Sequence, residues 1–235
     1  MKEEASIGCV QCQARLNSIF KDLSAEEITN LDNMKTCQFY KKGEIVFNQG
    51  SYPRGIFCVH AGKIKVTQVG TDGKEQIVHL IHDSDVMGHR AIFGDDTFSC
   101  SAIAMEDSQV CFIPKSPFYT MVESNPKLSM KISHLLAEEL KEAERKITHI
   151  AQHPVKDRLA QALLVLKNNY GFEQDGKTIN VLAKREDLAN LVGTSRETVT
   201  RALYELQAQN IIELKGKKVI IQDEIKLNQL AGLFT

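Results

Sequence analysis

No apolar run in the 235-residue chain approaches the ~18–20 residues that a membrane-spanning helix needs. The opening residues Met1-Lys2-Glu3-Glu4-Ala5 lack the basic-then-apolar layout of a secretory leader, so a cytoplasmic protein is expected. Charge of one sign is missing too. Lys and Arg number 29 against 30 Asp and Glu, for a net charge of −1, which argues against a chain that coats nucleic acid broadly but not against a local basic surface. Enzyme signatures are absent: there is no G-x-S-x-G, no Walker A loop and no H-E-x-x-H. The histidines are scattered, and the nearest to a cluster, His79, His82 and His89, have no ligand spacing, so an enzyme is not expected. The six cysteines of a cytoplasmic chain read as thiols or ligands rather than as a disulfide framework. What is present is an ordinary globular balance, 43% hydrophobic and 25% charged, in a length that suits one large or two modest domains.

Three textures follow one another. Leu16–Thr36 reads as a helix, with Leu16, Ile19, Phe20, Leu23, Ile28 and Leu31 near helical spacing and Ser24/Glu27 as a capping box. From Gln38 to Pro114 glycine punctuates short β-rich runs, Glu44–Phe47, Gly55–His60, Lys63–Gln68, Glu75–Ile81 and Cys100–Ile113. Regularly spaced short strands with glycine turns such as Thr71-Asp72-Gly73 imply a barrel, roll or sandwich.

Between Pro126 and Pro154 no proline or glycine interrupts a helical stripe of Leu128, Ile132, Leu135, Leu136, Ala143, Ile147 and Ile150. Some 25 residues at ~1.5 Å each give a helix close to 40 Å long. Its stripe packs either on the chain's own β domain or against a partner helix as a dimer seam. After His153-Pro154 an amphipathic helix, Val155–Tyr170, stops at Gly171, and a polar loop and a strand, Thr178–Leu182, lead into two more helices. Ile211–Leu214, Lys215-Gly216-Lys217 and Lys218–Gln222 form a closing hairpin. The expected architecture is α+β: a jelly-roll-like β-roll over residues 1–125, a long helix and hinge over 126–153, and an α+β domain over 154–235, mildly basic where the rest is mildly acidic.

The stretch Lys184–Leu203 carries the chemistry. A first helix runs to Val192, with Ala189 small where two helices cross, and Gly193 sits at the turn. Thr194 and Glu197 are expected to cap a second helix with Val199, Ala202, Leu203 and Leu206 on its buried face. The opposite face offers Thr194, Ser195, Arg196, Glu197, Thr200 and Arg201. Arginine can pair with guanine O6 and N7, and glutamate can accept from cytosine N4. Helix, turn, helix and hairpin make a winged helix-turn-helix, whose wing lysines Lys215 and Lys217 face phosphates.

Asp-Leu-Ala-Asn-Leu-Val-Gly followed by Ser-Arg-Glu-Thr-Val-Thr-Arg resembles the recognition segment of the CRP/FNR family of bacterial transcription regulators. The resemblance runs along nearly the whole chain, through Lys42-Gly43-Glu44, Gly62-Lys63-Ile64-Lys65-Val66, the long helix and Arg158-Leu159-Ala160. It implies a homodimer joined along Leu128, Ile132, Leu135, Leu136, Ala143 and Ile147. It further implies a two-fold symmetric DNA operator, with RNA polymerase contacted through the loop Asn168–Lys177. Arg196 resembles the CRP branch, which implies TGTGA-like half-sites.

Two sensor sites follow from the same resemblance. The family's nucleotide cassette falls at Gly88, His89, Arg90, Ser99, Cys100 and Ser101, but His89 stands where its glutamate belongs and Ser99 where its phosphate-binding arginine belongs. An effector other than cyclic AMP is therefore expected. The FNR branch holds an iron–sulfur cluster on four cysteines. Cys9, Cys12 and Cys111 match three of them, and Ser18 stands where the third N-terminal cysteine belongs, with Cys37, Asp22 or an exogenous group as the substitute ligand. Cys58 is expected to lie outside this set, as a small buried strand residue.

Overall fold

The computed structural model describes residues 8–232. Met1–Ala5, read above for a leader, lie outside the described residues. The chain divides into two compact units, one running to Leu140 apart from Glu75–Ile77, the other holding that stretch and the rest.

The first unit opens with α1 (Gln13–Leu16) and α2 (Ala25–Met34). Strands β1 (Thr36–Tyr40), β2 (Ile45–Phe47), β3 (Gly55–Ala61), β4 (Ile64–Val69), β5 (Glu75–Ile81) and β6 (Val86–Met87) follow. Then come α3 (His89–Phe93), β7 (Ser101–Ala104), β8 (Ser108–Pro114), α4 (Lys115–Ser124) and α5 (Pro126–Gln152), of which the residues after Leu140 belong to the second unit, as do Glu75–Ile77 of β5. The strands form two four-stranded sheets, ordered β1-β8-β3-β6 and β2-β7-β4-β5. The pleat of β3 sorts its side chains. Phe57 and Val59 join Phe47, Val66, Phe98 and Val110 in one cluster. Ile56 and Cys58 pack on the other face with Phe20, Leu31, Ile113, Phe118, Leu128 and Ile132.

The helix expected over Leu16–Thr36 is broken. The Ser18 hydroxyl donates to Arg15 O at 2.8 Å and accepts from Phe20 N at 3.1 Å, which closes a turn after α1. The Ser24/Glu27 capping box then starts a new helix, and Thr36 already belongs to β1. The run Cys100–Ile113 is two strands, because Ser108 Oγ donates to Glu106 O in a turn between them. Two expectations for α5 change. Leu128 and Ile132 are buried in the first unit's own core, and Leu136 packs against it, so these three are taken by that core. The outward apolar residues of α5 are Met130, Leu140, Ile147 and Ile150, with Ala143 also exposed. The cysteines are not all thiols either. Cys37 and Cys111 face each other across β1 and β8, with Cα atoms 3.9 Å apart, and are joined by a disulfide.

The second unit contains α6 (Val155–Tyr170), α7 (Arg185–Val192), α8 (Arg196–Ala208), the hairpin β9 (Ile212–Lys215) and β10 (Lys218–Ile221), and α9 (Glu224–Leu230). Leu159, Leu163, Leu188, Val199, Leu203, Val219 and Leu227 are its buried centre. The expected strand Thr178–Leu182 reduces to two bridges, Phe172 to Ile179 and Thr178 to Ile220.

Candidate functional site

Gly193 takes the left-handed conformation, φ 74°, ψ 51°, that turns the chain from α7 into α8. The cap of α8 is one residue later than expected. Ser195, not Thr194, is the N-cap, and its hydroxyl accepts from Thr198 N at 3.2 Å. Ser195 carries the same short hydroxyl chemistry, so sequence pattern does not separate the two frames. Arg158 of α6 fixes the turn by donating from Nη1 to Val192 O at 2.8 Å. Val199, Ala202, Leu203 and Leu206 are buried, as the spacing predicts. This leaves Arg196, Glu197, Thr200 and Arg201 along one shallow outward depression, whose wall continues through Tyr204. Neither Arg196 nor Arg201 has an ion-pair partner among the described residues. Two guanidinium groups are thus presented on one helix face, neither in an ion pair with a described carboxylate, with Glu197 and Glu205 lining the same depression.

A second depression brings Lys184, Arg185 and Glu186 at the start of α7 beside Arg196, Gly216 and Lys217. Arg185 Nη2 donates to Gly216 O at 3.4 Å, which ties α7 to the wing. Lys184 and Arg185 were missing from the sequence-derived interface. Their signal was a basic pair at a helix N-terminus, where the helix dipole disfavours cations and an external anion relieves the conflict. Lys215 and Lys217 are exposed at the wing tip, with Lys215 Nζ 3.2 Å from Glu213.

In the first unit, Gly88 adopts φ 85° and ends β6 at the head of α3. The next residue, His89, is buried and its Nε2 lies 3.1 Å from Glu139 Oε2 of α5. Arg90 Nε reaches the same oxygen at 3.6 Å. These side chains line a small cavity with Phe47, Val66, Phe98, Ser99 and Cys100. Burial alone pushes the Glu139 carboxyl up, but the His89 hydrogen bond and the charges of His89, Arg90 and His79 outweigh it and hold it below the usual glutamate value. His89 Nδ1 is buried without a partner among the described residues. Ser101 does not line the cavity, since its hydroxyl accepts from Gln49 N at 2.9 Å.

The cysteines gather elsewhere. Cys9, Cys12, Ser18, Cys58, His60 and Cys111 line one cavity with Arg15 and Lys35. Cys12 Sγ is 3.3 Å from His60 Nδ1. Burial raises the Cys9 thiol to about 11 and raises Cys58 as well. Of the substitutes for Ser18, the two side chains of this chain are engaged: Cys37 in the disulfide and Asp22 with Lys131 Nζ at 2.6 Å. Cys58, expected outside the set, faces the cavity. Among the described residues no three His, Cys, Asp or Glu side chains already stand in a metal-holding arrangement.

Two family models match the chain: a cyclic nucleotide-binding domain over residues 37–125 and a Crp-like helix-turn-helix domain over 157–230. Electron transport regulator A of Shewanella oneidensis is 31% identical over 229 residues, 97% of this chain and 91% of that protein. The chain belongs to the CRP/FNR family of transcription regulators. The fumarate and nitrate reduction regulatory protein of Vibrio cholerae is 30% identical over 232 residues, covering 97% of this chain and 92% of its own. A CRP/FNR-family transcriptional regulator from Thermus thermophilus superposes with a TM-score of 0.72 at 27% identity, over 84% of this chain and 98% of that one. Proteins of this family are DNA-binding transcription regulators, not enzymes. The outward face of α8 lies within the helix-turn-helix match, and the His89–Glu139 cavity draws most of its wall from the nucleotide-domain match.

Proposed function

We propose that this CRP/FNR regulator works as a homodimer that reads a two-fold symmetric operator with α8 and meets RNA polymerase through the loop of residues 168–177. The observation that carries the reading is the single outward face holding Arg196, Glu197, Thr200 and Arg201. Arg196 supports a guanine contact in half-sites close to TGTGA. Dimerisation is supported by the apolar residues Leu140, Ala143, Ile147 and Ile150 of α5, which are exposed among the described residues. The effector of the His89 cavity is a small molecule other than cyclic AMP. Ser99 offers a cyclic phosphate no charge, and the nearby side chains His89 and Arg90 already face the Glu139 carboxylate. Mobility-shift selection from a random duplex pool, with the full chain, tests the main reading. Enrichment of two-fold symmetric sites is expected; equal binding to all sequences would overturn it.

A second reading concerns what the chain senses. The shared cavity of Cys9, Cys12 and Cys111 favours a redox-, oxygen- or NO-responsive regulator carrying an iron–sulfur or other metal centre. The thiols of Cys9 and Cys12, joined by the Cys111 sulfur once its disulfide is reduced, with Arg15 and Lys35 at the same cavity, suit such a centre, which when bound supplies a site that oxidants attack. Protein purified without oxygen is expected to contain iron and sulfide that Cys9→Ser removes. Colourless, iron-free wild type from anaerobic cells would overturn this second reading.

A further inference from the structure

Three cysteines stand in one row across the helix-covered face of the first sheet. Cys37 of β1 is in register with Cys111 of β8, and Cys111 is in register with Cys58 of β3. Directly opposed residues of neighbouring strands point to the same face. Opposed Cα atoms in antiparallel pairs lie about 4.5–5.5 Å apart, and those of Cys37 and Cys111 are closer still, at 3.9 Å. Cys111 therefore has a sulfur neighbour on each side and is bonded to one of them, Cys37. On its other side it shares the cavity with Cys9, Cys12 and Cys58.

The segment that brings in Cys9 and Cys12 is fixed over the sheet. Cys9 N donates to Asp32 Oδ1 at 2.9 Å, and Arg15 Nε donates to Cys9 O at 2.9 Å. Ser18 lines the same cavity, but its hydroxyl is used by the turn it closes. Of the six cysteines only Cys100 sits apart, in the cavity beside His89.

We infer that these five cysteines form one redox-gated thiolate site. In its reduced state Cys9, Cys12, Cys58 and Cys111 hold a thiophilic metal centre; in its oxidised state the Cys37–Cys111 disulfide withdraws the fourth sulfur. The inference deepens the second reading above and names Cys58 as the thiolate that stands in for Ser18. Closing the gate is a thiol–disulfide exchange with a small-molecule or protein disulfide. The Cys37 and Cys111 sulfurs join, the oxidant's S–S bond takes their two electrons and breaks, and the two protons end on its thiols. A dithiol reductant runs the same step backwards.

Cobalt(II) alone, added to the reduced full-length protein without oxygen, tests the site by its thiolate-to-metal absorption. The expected result is one cobalt per chain bound by four thiolates, with binding lost after disulfide oxidation and recovered with dithiothreitol. Cys58→Ser should weaken binding at least about tenfold, no less than loss of an outer-shell partner does. Ser18→Cys placed in that variant should restore it, which separates ligand loss from misfolding, and Cys100→Ala should leave it unchanged. A full four-thiolate spectrum in Cys58→Ser, oxidised wild type that binds cobalt as well as reduced, or wild type with no thiolate-to-metal band would each overturn the inference. Iron-free protein from anaerobic cells that still binds cobalt through four thiolates would overturn the iron–sulfur reading and leave the thiolate site standing.

Discussion

Arg196 and Arg201 lie five positions apart on α8, about 1.4 turns, and on the proposed reading both guanidinium groups address one major groove. Replacing either by alanine is expected to cost on the order of 1–3 kcal/mol of operator binding and to relax preference at one guanine per half-site. Lys217→Ala should instead weaken all sequences alike and lower the salt slope by about one, as phosphate contacts do. Titrating affinity against salt for both variants separates the two roles. Asp175 gives a pH test. Its carboxyl accepts from the Thr178 hydroxyl and from the backbone N–H of Thr178 and Lys177, which lowers it from 3.8 to about 2. The folded value is the depressed one, so the stabilisation is present above 3.8 and is lost as pH falls towards 2. Thermal unfolding between those pH values should show a flatter acid limb for Asp175→Asn; an identical limb would contradict the assignment.

At the scale of elements, what could be read from the sequence was what periodicity and punctuation encode. The α6 boundaries, the Gly193 turn, the buried face of α8 and the wing follow from apolar spacing and glycine placement. The short β6, α3 and α4 were missed because two to ten residues carry too little period. The division of α5 was not legible either, since Leu128 and Ile147 share one helical stripe and only tertiary packing decides that the first is core and the second outward. The same limit hid Cys58, whose relation to Cys111 is a strand register and not a sequence spacing. The division of α5 has a direct consequence. Leu140→Asp or Ile147→Asp should yield a folded monomer with greatly weakened DNA binding, because a seam charge must be desolvated against the partner. Leu128→Ala should instead destabilise the fold by about 2–5 kcal/mol, as core truncations do. Sizing together with denaturant unfolding distinguishes the two outcomes, and a tightly DNA-binding dimer of Ile147→Asp would contradict the proposed seam.

For the whole molecule, a sensing β-roll and a winged helix-turn-helix occur in one chain, and the family assignment makes DNA reading the output. If two copies pair, their α8 helices enter successive major grooves, so half-site centres should lie roughly 34 Å, about one turn, apart. The cysteine cavity and the His89 cavity have separate linings in the first unit, so the proposed redox and small-molecule inputs would act at different places. The central claim is that α8 reads bases with the face headed by Arg196. Its most direct test is the full base-preference profile of wild type beside that of Arg196→Ala, measured by sequencing duplexes selected from a random pool. The account predicts paired TGTGA-like half-sites for wild type and a loss of preference confined to one guanine per half-site in the variant. Wild-type enrichment of TTGAT half-sites, or an unchanged profile in Arg196→Ala, would contradict it.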